Sequence, residues 1–320
     1  MSTFKEIRGT LIKSVSSDPA NPEVGEIWYN NTIGSLKGYT FTAAAWASGG
    51  NLPTAKQALS GFGTQTAAVG AAGYTTTPVN TSEEYNGSSW TASGNLTNSK
   101  GGSGAFGIQT AGAVAAGSPG FFTGTEEYNG SSWTSGGNLG TGRYYTVGSG
   151  TLTAGLIFGG NNAKSLTEEY DGSAWTAGGA LVVEQNAHAA AGTQTATVSF
   201  AGQSPPRQQT QEYNGSTWTS VTPMGTARYF LSGAGTQTSA LAVSGIIPGG
   251  TILTNVEEYD GTNWSNTTSV TTGALGPAGC GASNTSTLKF GGASPPSTSI
   301  AATEEFTGAF NATQTLTTST

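Results

Sequence analysis

An eight-residue phrase, Glu83-Glu84-Tyr85-Asn86-Gly87-Ser88-Ser89-Trp90, recurs along the chain and constrains its fold more than any other feature. It returns from Glu126 to Trp133, Glu168 to Trp175, Gln211 to Trp218 and Glu257 to Trp264. A worn copy, Glu304-Glu305-Phe306-Thr307-Gly308-Ala309-Phe310, closes the series, and Phe41-Thr42-Ala43-Ala44-Ala45-Trp46 opens it with the same aromatic spacing. The end aromatics, at 46, 90, 133, 175, 218, 264 and 310, lie 44, 43, 42, 43, 46 and 46 residues apart. Periods of that length belong to propeller blades or to helical-repeat arrays.

Local chemistry chooses between them. Asn86-Gly87, Asn129-Gly130, Asp171-Gly172, Asn214-Gly215 and Asp260-Gly261 are dipeptides that tolerate positive φ at both centres of a type I′ hairpin turn. Each phrase therefore reads as a β-hairpin with Tyr and Trp on one face, where cross-strand aromatic pairs stabilise a sheet. No window keeps a helical period. Upstream lies a small-residue strand ending in a glycine doublet or near-doublet: Ala72-Gly73, Ala116-Gly117, Gly159-Gly160, Ala201-Gly202, Ser244-Gly245 and Gly291-Gly292. Before it stands a turn such as Gly63-Thr64-Gln65-Thr66, repeated at Gly192 and Gly235. One period is thus four strands, and the expected fold is an all-β propeller of four-stranded blades.

Six complete periods span 47–310, and residues 26–46 offer a seventh outer hairpin with a preceding strand from Glu26 to Asn30. An orphan hairpin is marginal in water. The expectation is therefore seven blades, the last a composite whose innermost strand comes from Thr313-Gln314-Thr315-Leu316-Thr317-Thr318, so that no edge stays open. Six blades with the N-terminal segment docked outside is the alternative. The domains expected are a docking segment over 1–25 and a propeller over 26–320.

The double glycine followed by a Tyr and a Trp resembles the kelch repeat over roughly residues 26–310. The wording Glu-Glu-Tyr-Asn-Gly-Ser-Ser-Trp and Gly-Thr-Gln-Thr-Ala further resembles kelch-like virion proteins of tailed bacteriophages, as does Gly25-Glu26-Ile27-Trp28-Tyr29-Asn30. That resemblance implies a virion protein of the tail, a fibre or the capsid surface, made in the host cytoplasm without a signal peptide. Its implied partners are other virion proteins, reached through the charged N-terminal stretch (Lys5, Glu6, Arg8, Lys13), and a host surface receptor or glycan.

Composition narrows the functions. Lys and Arg number 11 against 18 Asp and Glu, with pI about 4.7, so there is no basic stripe for phosphate neutralisation and nucleic acid is not an expected partner. No segment is apolar over a membrane span. One cysteine, Cys280, and one histidine, His188, give no expected metal site or cofactor. Arg8, Arg143, Arg207 and Arg228 are the only arginines, and no catalytic motif accompanies them. No enzyme activity is expected.

Two sets of side chains are candidates for ligand binding. The loops between second and third strands vary most, and within them Phe121, Phe122, Ile246 and Ile247 are candidates for contact. Ten residues after each Trp stand Lys56, Lys100, Arg143, Gln185, Arg228 and Ala274. Four cations ringing a channel mouth would suit an anionic ligand; pairing with nearby acidic groups is the other reading, and the recurrent glutamate pairs read as structural. Two further functions stay in view: a tail-associated glycan-degrading enzyme, which would need acids that the variable loops lack, and a cytoplasmic kelch adaptor.

Overall fold

The computed structural model describes residues 12–295 and 298–316. Its regular structure is β throughout, and each of the first five periods is one antiparallel four-stranded sheet. Sheet 1 runs Ser60–Thr64, Ala67–Ala71, Ser82–Tyr85, Trp90–Ala92. Sheet 2 runs Gly104–Ile108, Ala111–Ala115, Thr125–Tyr128, Trp133–Ser135. Sheet 3 runs Val147–Thr151, Ala154–Phe158, Thr167–Tyr170, Trp175–Ala177. Sheet 4 runs Ala189–Thr193, Ala196–Phe200, Thr210–Tyr213, Trp218–Val221. Sheet 5 runs Ser232–Thr236, Ser239–Val243, Val256–Tyr259, Trp264–Thr267. Sheet 6 takes Ala278–Ser283, Ser286–Phe290 and Thr303–Thr307 from its own period and its fourth strand, Ala45–Ser48, from the other end of the chain.

Tyr85 sits directly opposite Trp90, and the same register recurs at Tyr128/Trp133, Tyr170/Trp175, Tyr213/Trp218 and Tyr259/Trp264. The connecting turn differs from the expected type I′. Only the glycine takes positive φ, for example Gly87 at 87°, while the Asn86 side-chain oxygen accepts from the Ser88 and Ser89 amides at 3.0 and 2.9 Å. Four residues, organised by an Asx side chain, make each hairpin. The near-doublets behave as full doublets: Ala72, Ala116, Ala201 and Ser244 adopt φ of 57–69°, matching Gly159 and Gly291 at 61° and 63°. The repeat therefore imposes a left-handed residue there even where a Cβ makes it costly.

Each sheet buries its Tyr/Trp face on the sheet before it. The Trp indole donates to a hydroxyl on the preceding sheet's third strand: Trp90 to Thr303, Trp133 to Ser82, Trp175 to Thr125, Trp218 to Thr167 and Trp264 to Thr210. At the sixth position the preceding residue is Val256, and Trp46 donates instead to the Thr268 carbonyl at 2.9 Å. The glutamines of the Thr-Gln-type turns add a second fastening. Gln65 donates to the Thr287 and Phe306 carbonyls, and Gln109, Gln194 and Gln237 repeat the arrangement on the sheets before theirs.

The six first strands face a common axis. Mostly glycines, alanines and serines of these strands line it. At one end, six equivalent residues with left-handed backbone (Ala58, Gly102, Tyr145, Ala187, Phe230 and Gly276) form a cyclic chain of amide-to-carbonyl bonds. Gly102 donates to Ala58, Tyr145 to Gly102, Ala187 to Tyr145, Phe230 to Ala187, Gly276 to Phe230 and Ala58 to Gly276, all at 2.7–2.9 Å. Such an arrangement of sheets is consistent with a β-propeller.

The ends of the chain depart from expectation. Trp46–Thr307 form one compact unit, and the described residues up to Ala45 and from Gly308 form another. The smaller unit is a sheet of Lys13–Val15, Ile27–Asn30, Ser35–Thr42 and Phe310–Thr315, in that order, whose first pair is parallel. Residues 310–315 pair with 37–42, not with the strand Ile27–Asn30 beside which a composite blade would have set them; Thr317 and Thr318 lie outside the described residues. Phe41 and Trp46 do not share a hairpin. Trp46 lies opposite Phe306 with ring centroids 5.0 Å apart and takes the place that the sequence suggested for Phe310. Within the terminal sheet, Asp18 accepts from the Trp28 indole and the Asn30 amide, which hold its carboxyl below the usual aspartate range. Lys5, Glu6 and Arg8 of the expected docking stretch lie outside the described residues.

Candidate ligand-binding loop face

The basic residues of the repeat do not line an open mouth. Lys56, Arg143 and Arg228 are 0 % exposed and Lys100 2 %. Lys56 pairs with Glu83 at 2.5 Å, Lys100 with Glu126 at 3.1 Å, and Arg143 and Arg228 with Glu168 and Glu257. Burial pushes all four cations below their ordinary pKa values, and the partner carboxylates oppose that shift. Charge pairing, the second reading of these residues, is the arrangement found. In the fourth repeat both charges are absent and Gln211 donates to Gln185 at 3.1 Å. In the sixth, where Ala274 leaves the usual place empty of charge, Lys289 reaches Glu304 from the strand directly opposite it at 3.2 Å.

The second glutamate of each pair points the other way, at the next sheet. Glu84 accepts from Tyr128 at 2.7 Å and Glu212 from Tyr259 at 2.9 Å; Glu127, Glu169 and Glu305 accept from Tyr170, Tyr213 and Tyr85. The paired acids are therefore structural on both faces.

Side chains that differ between repeats collect at one end. In every sheet the connection from second to third strand meets the connection that enters the first strand: Gln57 bridges Tyr74, Gly101 Ser118, Tyr144 Asn161, Tyr229 Ile246 and Leu275 Ala293. In the fourth, Gln203 donates to the Asn186 carbonyl at 2.8 Å. Phe121 is 53 % exposed, while Phe122, Ile246 and Ile247 are half-buried. A run of aromatic rings joins these candidates. Phe121 lies 5.3 Å from Tyr144, Tyr144 4.9 Å from Tyr145, Tyr145 4.7 Å from Phe230, and Phe230 5.6 Å from Tyr229, whose backbone bridges Ile246.

Tyr144, Tyr145, Tyr229 and Phe230 were not singled out from the sequence, although a signal exists. Arg143-Tyr144-Tyr145 and Arg228-Tyr229-Phe230 stand where other repeats have Lys56-Gln57-Ala58, Lys100-Gly101-Gly102 or Gln185-Asn186-Ala187. Glycine at 101 and 102 is required by this cluster: a Cβ would fall 2.4 Å from the Tyr74 ring at the first and 2.7 Å from the Tyr145 ring at the second.

Below Tyr145 and Phe230 is a cavity of about 130 Å³, which His188 and Ser232 also line. Neither the His188 nitrogens nor the Ser232 hydroxyl has a hydrogen-bond partner among the described residues. Burial pushes the His188 imidazole down to about 3, so it is neutral at physiological pH. Among the described residues no three His, Cys, Asp or Glu side chains cluster as metal ligands would. No protein-family model matches the chain, and no curated protein matches it.

Proposed function

We propose that the chain is a non-catalytic, kelch-like propeller of six blades from the particle of a tailed bacteriophage, with the loop face around Tyr145 and Phe230 binding a host surface receptor or another virion protein. The cyclic bonds that start and end at Ala58, with Ala45–Ser48 serving as fourth strand of sheet 6, support the reading of six blades over seven. The observation that carries the binding role is the partition of side chains. The repeated charges are consumed in buried pairs or in Tyr–Glu bonds between sheets, whereas the unrepeated aromatic and aliphatic residues gather on the loops of one face. Loops on a rigid scaffold are the usual place for recognition. The phage assignment rests on the resemblance of the repeat wording.

Mass spectrometry of purified phage particles tests the particle assignment. The chain is expected among the structural proteins, and its absence from intact particles would overturn the reading.

A further inference from the structure

We propose that the mouth of the central channel is a subsite for one sugar ring of a neutral glycan, stacked on Tyr145 and Phe230. This rests on the loop-face reading above and narrows it to a ligand class.

Charge comes first. The face's four strongest candidates for attracting an anion, Lys56, Lys100, Arg143 and Arg228, are buried and paired. Beyond those, and the neutral His188, the connections of this face carry only Lys164, Glu184 and Arg207 as ionisable side chains of strong charge. A ligand held here gains little from ionic groups and would pay to desolvate them.

Shape and chemistry come second. Tyr145 and Phe230 meet edge to face at 83°, their backbones joined through the small Ala187, and both line the cavity. The two remain only half-buried. Amide side chains border the rings: Asn186 donates to Asn161 at 2.7 Å and to Gln203 at 3.1 Å, and Asn161 bridges Tyr144 through its backbone. Beneath them lies the cavity of about 130 Å³, walled largely by small residues such as Ala58, Gly104 and Ala189. Aromatic faces beside neutral donors and acceptors suit a pyranose, which has apolar C–H faces and a rim of hydroxyls.

The test is an array of immobilised neutral and acidic oligosaccharides probed with wild type, Tyr145→Ala, Phe230→Ala and Phe121→Ala. Alanine already occupies the equivalent ring positions at Ala58 and Ala187 with φ of 48° and 52°, so the first two variants are expected to fold, with melting curves as the check. Wild type is expected to bind at least one neutral glycan and to keep doing so at about 1 M salt, where ionic attraction is screened. Tyr145→Ala and Phe230→Ala should each weaken that binding by about tenfold or more. Binding confined to acidic glycans, binding to no neutral glycan, or affinity unchanged in both ring variants would overturn the proposal. If the chain is present in particles yet binds no neutral glycan, the glycan inference fails and the particle reading stands; absence from particles removes the latter alone.

Discussion

The Tyr85 hydroxyl donates to the Glu305 carboxylate, fastening sheet 1 to sheet 6 across 220 residues of sequence. Every tyrosine of the repeat makes this bond to the sheet before it, and the exception proves the demand. Phe306 has no hydroxyl, and Asn284 donates to Glu258 in its stead. Tyr128→Phe should therefore cost about 1–3 kcal/mol, because it strips a partly buried carboxylate, Glu84, of a donor. Urea denaturation measures it; a loss below about 0.5 kcal/mol would mean that water replaces the hydroxyl without penalty.

The same tyrosines set an alkaline limit. Burial first, then the glutamate partner, pushes the Tyr85, Tyr170 and Tyr213 phenols up to about 12; burial likewise raises Tyr128 to about 12. Above the ordinary phenol value of about 10 the unfolded chain releases protons that the folded chain retains, so stability must fall as pH rises from there. Unfolding and the tyrosinate absorbance should appear together in an alkaline titration. Tyrosinate absorbance that grows while the fold persists would contradict this.

The buried ion pairs invite a comparison that the chain has already made. Removing one partner, as in Glu126→Gln alone, should cost about 3–5 kcal/mol by leaving Lys100 buried and uncompensated. The double change Lys100→Gln with Glu126→Gln recreates the Gln185–Gln211 arrangement of the fourth repeat and should recover most of that loss. A double variant no more stable than the single one would show that the pair's surroundings differ between repeats.

Strand order, hairpins and sheet composition were legible because they are written many times. Six or more copies average out local exceptions, and Asn-Gly, Tyr and Trp each have a strong conformational or packing preference. The closing sheet was not legible. Phe41-Thr42-Ala43-Ala44-Ala45-Trp46 has hairpin spacing, but its two aromatics end up in different sheets, and Trp46 crosses to Phe306 through long-range pairing that no local pattern encodes. The loop face was half legible. Phe121 and Ile246 drew attention by varying, whereas Tyr145 and Phe230 were masked by the repeated basic residue two places before each of them.

His188 should make the fold acid-sensitive. Its ring packs against Gly159, where a Cβ would lie 2.6 Å from the imidazole, and it stays neutral because burial holds its pKa near 3. The unfolded chain protonates near the ordinary value of about 6.5, so this group's effect on stability is absent above that pH and grows unfavourable below it, by about 1.4 kcal/mol per unit until pH approaches 3. Comparing wild type with His188→Leu between pH 7 and about 5 isolates the contribution from that of the carboxylates. Leucine stands at the equivalent Leu59 and Leu231, so the variant should fold and lose this part of the slope. Parallel stability curves for the two proteins would refute the assignment.

Trp133 distinguishes a closed ring from an open row of sheets. Its ring lies 4.8 Å from Tyr128 within its own sheet and 6.3 Å from Phe62 of the sheet before, and its indole donates to Ser82 at 3.1 Å. Trp133→Ala should cost about 3–5 kcal/mol as a large-to-small change at a buried interface, while Ser131→Ala, on the exposed turn, should stay within about 0.5 kcal/mol. The form of the loss matters as much as its size. In an open row, weakening the interface of sheets 1 and 2 would let the flanking sheets unfold separately, as nearest-neighbour arrays do. In a ring whose first and last sheets are joined by Tyr85 to Glu305 and Trp90 to Thr303, neither flank has a free end. Hydrogen exchange of Trp133→Ala should therefore show protection falling in all six sheets together; a fall confined to sheets 1 and 2 would mean that closure contributes little to stability.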